Sequence, residues 1–147
     1  MLASQPPVTM AVRQLVGRTK LPVVCTYQGA GVIPQELFDC FGGRVGLFHT
    51  QPGDKLLDAA DLVITIGYDP LGYDPSLWNH GFKRDVIHID LLPSDIDKDH
   101  KPGIELTGSI SATVEALTAQ VTPRARGKET VFLDEIASSG RNSSAML

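Results

Sequence analysis

Polar residues that could bind a ligand follow the apolar runs of this sequence. His49 and Gln51 stand just after the apolar run 45–48 and just before a stretch with helical spacing. Ligands of open α/β sheets bind at the carboxyl ends of strands, and the N-terminus of a following helix favours anions. Either side chain could contact a ligand there, and ordinary capping of a helix at 53–60 explains both equally well.

The loop 67–75 is a second candidate, because Tyr-Asp-Pro occurs in it twice. Tyr68 and Tyr73, with carboxylates that include Asp69 and with rigid prolines, suit a shaped surface that meets a ring or a neighbouring domain. A well-ordered turn accounts for the same residue types. Both interpretations stay open on sequence alone.

Two further patterns are typical of nucleotide-binding folds. Asp90 ends the apolar run 86–91, where a carboxylate can bind both hydroxyls of a ribose or cap the turn 92–96. The sequence Gly29-x-Gly31-x-x-Pro34 is close to a dinucleotide fingerprint, but proline stands where a third glycine would permit close packing. The glycines of a simple turn explain this pattern as well.

The spacing of the residues along the chain indicates neither a metal site nor a catalytic triad. The four histidines are scattered, without the spacing of metal ligands, and no Ser, His and acid set can be assigned without geometry. Cys25 and Cys40 form no C-x-x-C pair, so we expect reduced thiols that pack in the core. No metal site is predicted.

Composition limits the class of protein. The chain has 147 residues and a net charge of -4, which fits one globular domain with no basic cluster for a nucleic acid. No apolar run approaches the roughly 20 residues of a membrane span, and the first residues lack the order of a signal peptide. We therefore expect a cytoplasmic protein that binds neither nucleic acid nor membrane.

The elements that must position these side chains alternate along the chain. Short β-branched runs predict strands, and apolar residues at helical spacing predict helices between them. The predicted strands are 21–27, 45–48, 62–66, 86–91 and 104–107, and the predicted helices are 8–16, 34–41, 53–60 and 109–120. This alternation predicts a doubly wound α/β fold, a mostly parallel Rossmann-like sheet with helices on both faces. Residues 122–147 read as a polar linker or disordered tail, with an apolar island at 130–136.

Five stretches of the sequence form a recognisable pattern: LPVVCTYQGAG (21–31), GRVGLF (43–48), QPGD (51–54), ADLVITIGY (60–68) and VIHID (86–90). Together they resemble the central domain of thiamine-diphosphate enzymes, most closely that of catabolic acetolactate synthases. The similarity covers residues 1–117, within a domain that we assign to 1–121, and Trp78-Asn79 belongs to its more specific part.

The resemblance implies one part of a larger enzyme that condenses two pyruvates to 2-acetolactate with loss of carbon dioxide, for acetoin and butanediol or branched-chain amino acids. Thiamine diphosphate and Mg²⁺ would be bound by the N-terminal and C-terminal domains, which are not in this sequence. The chain would then contain no catalytic residue, would be inactive alone, and would serve as scaffold and subunit contact in a homo-oligomer. Gln51, Tyr68, Asp69 and Tyr73 would form a wall of the substrate entrance.

Biosynthetic relatives in this family bind FAD on the central domain, with an arginine two residues beyond the glycine that matches Gly67. Here Tyr68-Asp69 replaces the alanine-arginine pair. Loss of a cation that could meet the pyrophosphate argues against FAD. The expectation is an inherited but empty nucleotide crevice, with Gln51, Gly67, Tyr68, Asp69 and Asp90 as the residues that would line it or the entrance.

Family members also carry an apolar strand immediately before the segment that matches residues 1–4. That first strand lies centrally in the sheet, so its absence would leave two strands without a partner and the chain prone to aggregation, unless upstream sequence or residues 130–133 supply the pairing. Three alternatives remain. They are a stand-alone module for FAD, ADP or NAD, the central domain of another 2-oxo-acid or oxalyl-coenzyme A decarboxylase, and a degenerate gene product.

Overall fold

The computed structural model of the chain describes residues 2–48, 50–124 and 134. His49 and the apolar residues 130–133, which the sequence analysis singled out, lie outside this part of the chain. The described residues form five strands and four α-helices. The strands are β1 (Val23–Thr26), β2 (Phe41–Val45), β3 (Leu62–Ile66), β4 (Asp85–Asp90) and β5 (Ile104–Thr107), and the helices are α1 (Pro6–Thr19), α2 (Pro52–Ala59), α3 (Pro75–Trp78) and α4 (Ile110–Gln120).

The second strand lies earlier in the chain than predicted. The strand predicted at 45–48 is wrong, because β2 ends at Val45 and the side chains of Leu47 and Phe48 are 61% and 70% exposed. Two glycines inside β2 hide it from a pattern of β-branched residues, and Gly46, with φ of 111°, turns the chain out of the sheet. Because β2 begins at Phe41, the helix predicted at 34–41 is shortened to a 3-10 helix at Gln35–Cys40.

The strands form two parallel sheets. One has the order β1-β2 and the other the order β3-β4-β5. Among the described residues β1 pairs only with β2, and β3 pairs only with β4, so the edges of β1 and β3 each lack a strand neighbour. These two edges face each other across the space between the two sheets.

Helices cover both faces of the sheets, which confirms the doubly wound α/β fold. On one face α1 packs on α4, and the apolar side of α1, with Val12 and Val16, shares a core with Ile89 and Val114. On the other face α2 and α3 cover a second core that includes Leu57 and Trp78. Within the described ranges, no helix is long and apolar enough to cross a membrane.

Candidate functional site

The site begins at the turn that joins β2 to α2. Gln51 is the residue before the first turn of α2, and its backbone N–H donates to Oδ2 of Asp54 at 2.7 Å. Pro52 occupies the first helical position, where its missing N–H costs nothing. The side-chain amide of Gln51 extends to the end of β1 and donates to the hydroxyl of Tyr27 at 3.3 Å. Gln51 therefore connects the ends of β1 and β2.

Asp54 carries the connection to the loop that follows β3. Its Oδ1 accepts a hydrogen bond from the hydroxyl of Tyr73 at 2.5 Å. The Tyr68 hydroxyl donates to the backbone carbonyl of Tyr73 and accepts from Nε1 of Trp78 at 3.1 Å. Three of the predicted residues, Gln51, Tyr68 and Tyr73, are thus brought into one hydrogen-bonded chain, which we call the carboxyl-edge network (Tyr27, Gln51, Asp54, Tyr73, Tyr68 and Trp78).

Burial keeps the phenols of this network neutral. Burial raises the pKa of Tyr68 well above its ordinary value, and it raises the pKa of Tyr73 in the same direction, helped by the hydrogen bond to the Asp54 carboxylate. Both groups act as hydrogen-bond donors at neutral pH and not as bases. The network therefore suits a rigid wall better than acid–base catalysis.

A buried aromatic cluster lies beside the network. The ring of His100 contacts three other rings in tilted or edge-on geometry. Its centroid lies 5.5 Å from that of Tyr68, 6.1 Å from that of Trp78 and 5.9 Å from that of His88. Its side chain is 1% exposed, and neither ring nitrogen has a hydrogen-bond partner within the described part of the chain. Sequence reasoning treated His100 only as one of four scattered histidines, whereas the structure buries it beside Trp78. Desolvation lowers the pKa of His100, and the nearby His88 lowers it further.

The other predicted site residues lie at the ends of β3 and β4. The Gly67 N–H donates to the carbonyl of Ile89 at 3.0 Å, and Gly67 has φ of 60°. Asp69 Oδ1 accepts from the Leu71 N–H at 2.9 Å, and Asp90 Oδ1 accepts from the backbone N–H of the next residue at 2.6 Å. Both carboxylates cap local turns, outside the carboxyl-edge network.

The glycine loop after β1 presents its carbonyls to a cation. Arg13 donates to the carbonyl of Val32 at 2.9 Å and to that of Gly31 at 2.8 Å. A 3-10 helix follows the loop, in place of the α-helix whose N-terminus would face a phosphate. In this geometry a turn stabilised by Arg13 explains the glycines.

A cavity of about 160 Å³ separates the two sheets. Its walls are the facing strands, with Val24 and Cys25 from β1 and Val63 and Ile64 from β3 among the lining residues. Burial raises the pKa of the Cys25 thiol to about 11. The space is more than ten times what a single water molecule needs, about 10–15 Å³, so it is a true gap between strands.

Sequence reasoning missed two residues of the network. Tyr27 lies in the 3-10 helix directly after β1, where no polarity pattern marks it. Asp54 could have been found, because an acidic residue three positions after a helix cap is the spacing of a capping box. Among the described residues, no three His, Cys, Asp or Glu side chains lie close enough together to bind a metal ion.

Comparison with known proteins identifies a family and relatives that this chain resembles. The family model described as thiamine pyrophosphate enzyme, central domain, matches residues 4–117. The chain is similar to the acetolactate synthase of Bacillus subtilis, with 47% identity over 114 residues, or 78% of this chain and 20% of the relative. The catabolic acetolactate synthase of Raoultella terrigena is 42% identical over 124 residues, 84% of this chain and 22% of the relative.

A pyruvate oxidase of Lactiplantibacillus plantarum is more distant, with 27% identity over 113 residues, 76% of this chain and 18% of that protein. The chain thus spans about a fifth of the length of these two acetolactate synthases.

Proposed function

This chain belongs to the family of thiamine pyrophosphate enzyme central domains, and we propose that it is the central domain of an acetolactate synthase. The supporting observation is the high identity to two acetolactate synthases, which far exceeds the identity to a pyruvate oxidase of the same family. The larger enzyme would condense two pyruvates to 2-acetolactate with release of carbon dioxide. This domain would end near residue 121, with 122–147 as a linker.

The chemistry of such an enzyme depends on thiamine diphosphate, which supplies a stabilised carbanion when bound. The described residues of this chain hold no group of three metal ligands, and the buried phenols of Tyr68 and Tyr73 act only as donors. As the family resemblance implies, the cofactor and Mg²⁺ would bind to the N-terminal and C-terminal domains of the full-length enzyme. This chain would contribute a rigid wall of the substrate entrance and contacts within a homo-oligomer.

A flavin does not fit the nucleotide crevice. The residue after Gly67 is a phenol turned inward towards Trp78, and the next residue, Asp69, carries a negative charge. A pyrophosphate would need a cation or free N–H groups at this position. We expect titration with FAD or ADP to show no saturable binding. Saturable binding would instead favour a stand-alone nucleotide-binding module.

Transplantation tests the proposed function. Residues 4–117 would replace the matching segment of the Bacillus subtilis acetolactate synthase, and acetolactate formation from pyruvate would be measured. We expect a rate within about tenfold of the parent enzyme, since a loss of about 1.4 kcal/mol in positioning corresponds to a factor of ten. The matched control carries the corresponding segment of the Lactiplantibacillus plantarum pyruvate oxidase and should lose far more. A folded chimera that binds thiamine diphosphate but forms no acetolactate contradicts the proposal.

A further inference from the structure

A loop, and not a helix, joins the last two strands of the sheet. β4 and β5 are parallel neighbours, and the segment between them, residues 91–103, is described throughout and contains neither a helix nor a strand. Parallel neighbours are usually joined by a helix that covers the sheet. Here the large apolar side chains of the segment are exposed, with Leu91 at 50%, Leu92 at 71% and Ile96 at 63%. We call this segment the cover loop.

Two residues anchor the cover loop. Asp99 and His100 are its only buried residues. The Asp99 carboxylate accepts from the N–H of Gly81 at 3.1 Å, and the Asp99 carbonyl accepts from the side-chain amide of Asn79 at 3.1 Å. Asp99 is therefore held by hydrogen bonds, whereas the ring of His100 has none.

Packing alone holds the ring of His100. It contacts the rings of Tyr68, Trp78 and His88, and both ring nitrogens lack a hydrogen-bond partner among the described residues. A neutral imidazole has one N–H donor, whereas a protonated imidazole has two donors and a net charge. An unpaired buried charge costs more free energy than an unpaired buried neutral group. The closed position of the cover loop therefore favours the neutral ring.

We propose that His100 is a pH-sensitive switch that holds the cover loop against β4 while its ring is neutral, and that releases the loop locally when the ring takes up a proton from solvent. The helices and strands stay in place during this release. Water then solvates the charge, and Trp78, the last residue of the carboxyl-edge network, becomes accessible. The inference rests on the burial of His100 and does not depend on the acetolactate synthase assignment.

Burial and nearby charges both act on His100. Burial is the largest cause that lowers the pKa of His100, and His88 on β4 lowers it further. The carboxylates of Asp97 in the cover loop and Glu105 on β5 oppose this lowering. Their effect is smaller than that of burial, so the pKa of His100 remains below its ordinary value.

The other ionisable groups around the cluster do not account for release at mildly acidic pH. The Asp99 carboxylate lies 3.1 Å from the exposed ring of His80, and a proton on His80 would strengthen that contact. The remaining groups are Tyr68, which stays neutral, Asp69 and Asp74 near it, Arg84, which donates to the carbonyl of Trp78, and Lys98 and Lys101 in the cover loop.

Proton linkage sets the direction and size of the effect. The released loop takes up a proton near the ordinary histidine pKa of about 6.5, whereas the closed loop excludes that proton. The equilibrium constant for release therefore rises about tenfold for each pH unit below about 6.5 and is constant above it. Acidification opens the cover loop.

Native-state hydrogen exchange of the full chain tests the switch. The reporters are the backbone N–H groups of Gly81 and Gly103, which donate to Asp99 and to the Val86 carbonyl, across the boundary of the cover loop. After correction for the intrinsic pH dependence of exchange, we expect their protection factors to fall about tenfold per pH unit between about pH 6.5 and about pH 5. Low urea concentrations should hardly change these rates, because local release exposes little surface. The α1 amides should exchange more slowly and respond to urea.

Four variants assign the proton. His100→Phe and His100→Gln each remove the titrating ring, and we expect protection factors at Gly81 and Gly103 that do not change with pH in either variant. The second of these variants keeps the test valid if the first fails to fold. His80→Gln, at an exposed position beside Asp99, is the matched control and should keep the tenfold slope. His88→Asn removes the neighbouring histidine and should keep it as well.

Several outcomes would overturn the proposal. A slope that persists in both His100 variants assigns the proton to another group, and a slope that is lost only in His88→Asn assigns it to His88. A response that begins only near about pH 4 belongs to carboxylates such as Asp97. Exchange of the Gly81 and Gly103 amides at the same rate and with the same urea dependence as the α1 amides shows that the cover loop opens only when the whole fold unfolds.

Discussion

At the scale of single residues, the carboxyl-edge network depends on a few short hydrogen bonds between side chains far apart in sequence. Tyr73 is 6% exposed and donates to Asp54, which is 19 positions away. Trp78 is 4% exposed and donates to Tyr68. Because these donors are buried, water replaces a lost partner less readily than it does at the surface. Single substitutions should therefore have measurable effects on stability.

Tyr73→Phe removes the hydroxyl that donates to Asp54 and keeps the ring. We expect the free energy of unfolding to fall by about 1–2 kcal/mol, because a partly buried carboxylate oxygen loses its partner. Urea unfolding measures the change. Tyr27→Phe is the matched control: its hydroxyl accepts a longer bond, 3.3 Å, from Gln51, and the ring that packs against Arg44 remains. Equal losses in both variants would show that the Asp54 contact has no special role.

His100 should make stability depend on pH. Burial lowers its pKa, so the folded chain keeps it neutral while the unfolded chain takes up a proton near its ordinary pKa of about 6.5. The free energy of unfolding then has its full value above about pH 6.5 and decreases as the pH falls below it. His88 adds to the lowering, and Asp97 and Glu105 oppose it. Hydrogen bonds with Ser76 and Ser94 lower the pKa values of Asp74 and Glu105, so these carboxylates take up protons only in a more acidic range.

His100→Phe tests this dependence and keeps a ring against Tyr68 and Trp78. We expect a flatter profile of unfolding free energy between pH 7 and pH 5, with little loss at pH 7, since neither ring nitrogen has a hydrogen-bond partner among the described residues. His80→Gln is the control, because His80 is largely exposed beside Asp99. An unchanged slope in His100→Phe would assign the pH dependence to other groups.

At the scale of secondary-structure elements, close packing of α2 on β2 sets the position of Gln51 and Asp54. A Cβ at Gly53 would lie 2.7 Å from Cγ1 of Val45 and 3.1 Å from the carbonyl oxygen of Arg44. Glycine at this position lets the helix approach the strand. The start of α2, and with it the network, depends on the absence of one methyl group.

Gly53→Ala should therefore destabilise the fold by about 1–3 kcal/mol, because the added methyl overpacks the contact with β2. Gly17→Ala is a control of opposite sign. It lies in α1 with no atom closer than 3.9 Å to the new Cβ, so helix propensity should raise stability by about 0.5–1 kcal/mol. Thermal melting of both variants measures the difference. A neutral Gly53→Ala would show that α2 can move away from β2 without cost.

At the scale of the whole molecule, two sheets share one pair of helix layers. The α1 and α4 contact and the carboxyl-edge network hold the β1-β2 sheet to the β3-β4-β5 sheet, and the cavity of about 160 Å³ separates their strands. Unpaired strand edges invite association with other chains. The edges of β1 and β3, which lack a strand neighbour among the described residues, should therefore limit the stability and solubility of the chain.

The chain alone should melt broadly and aggregate as its concentration rises, because the edges of β1 and β3 have no strand neighbour among the described residues. Calorimetry together with light scattering measures this behaviour. A sharp two-state transition of a monomer would contradict the prediction.

The sequence by itself determined the fold class and the bounds of two strands, β3 and β5. Both strands agree with their predicted bounds, because β-branched residues such as those of β3 favour a strand locally. Motifs with family-wide spacing were sufficient to identify a thiamine pyrophosphate enzyme central domain.

Only the tertiary structure decided where β2 lies, which polar residues meet, and which strands line the cavity between the sheets. The glycines of β2 carry no strand signal, and their strand conformation comes from pairing with β1. The network from Tyr27 to Trp78 joins residues across more than one element, and the burial of His100 depends on rings that come from β4, α3 and the loop after β3. Local pattern encodes backbone conformation, whereas contacts between distant residues arise only when the elements pack.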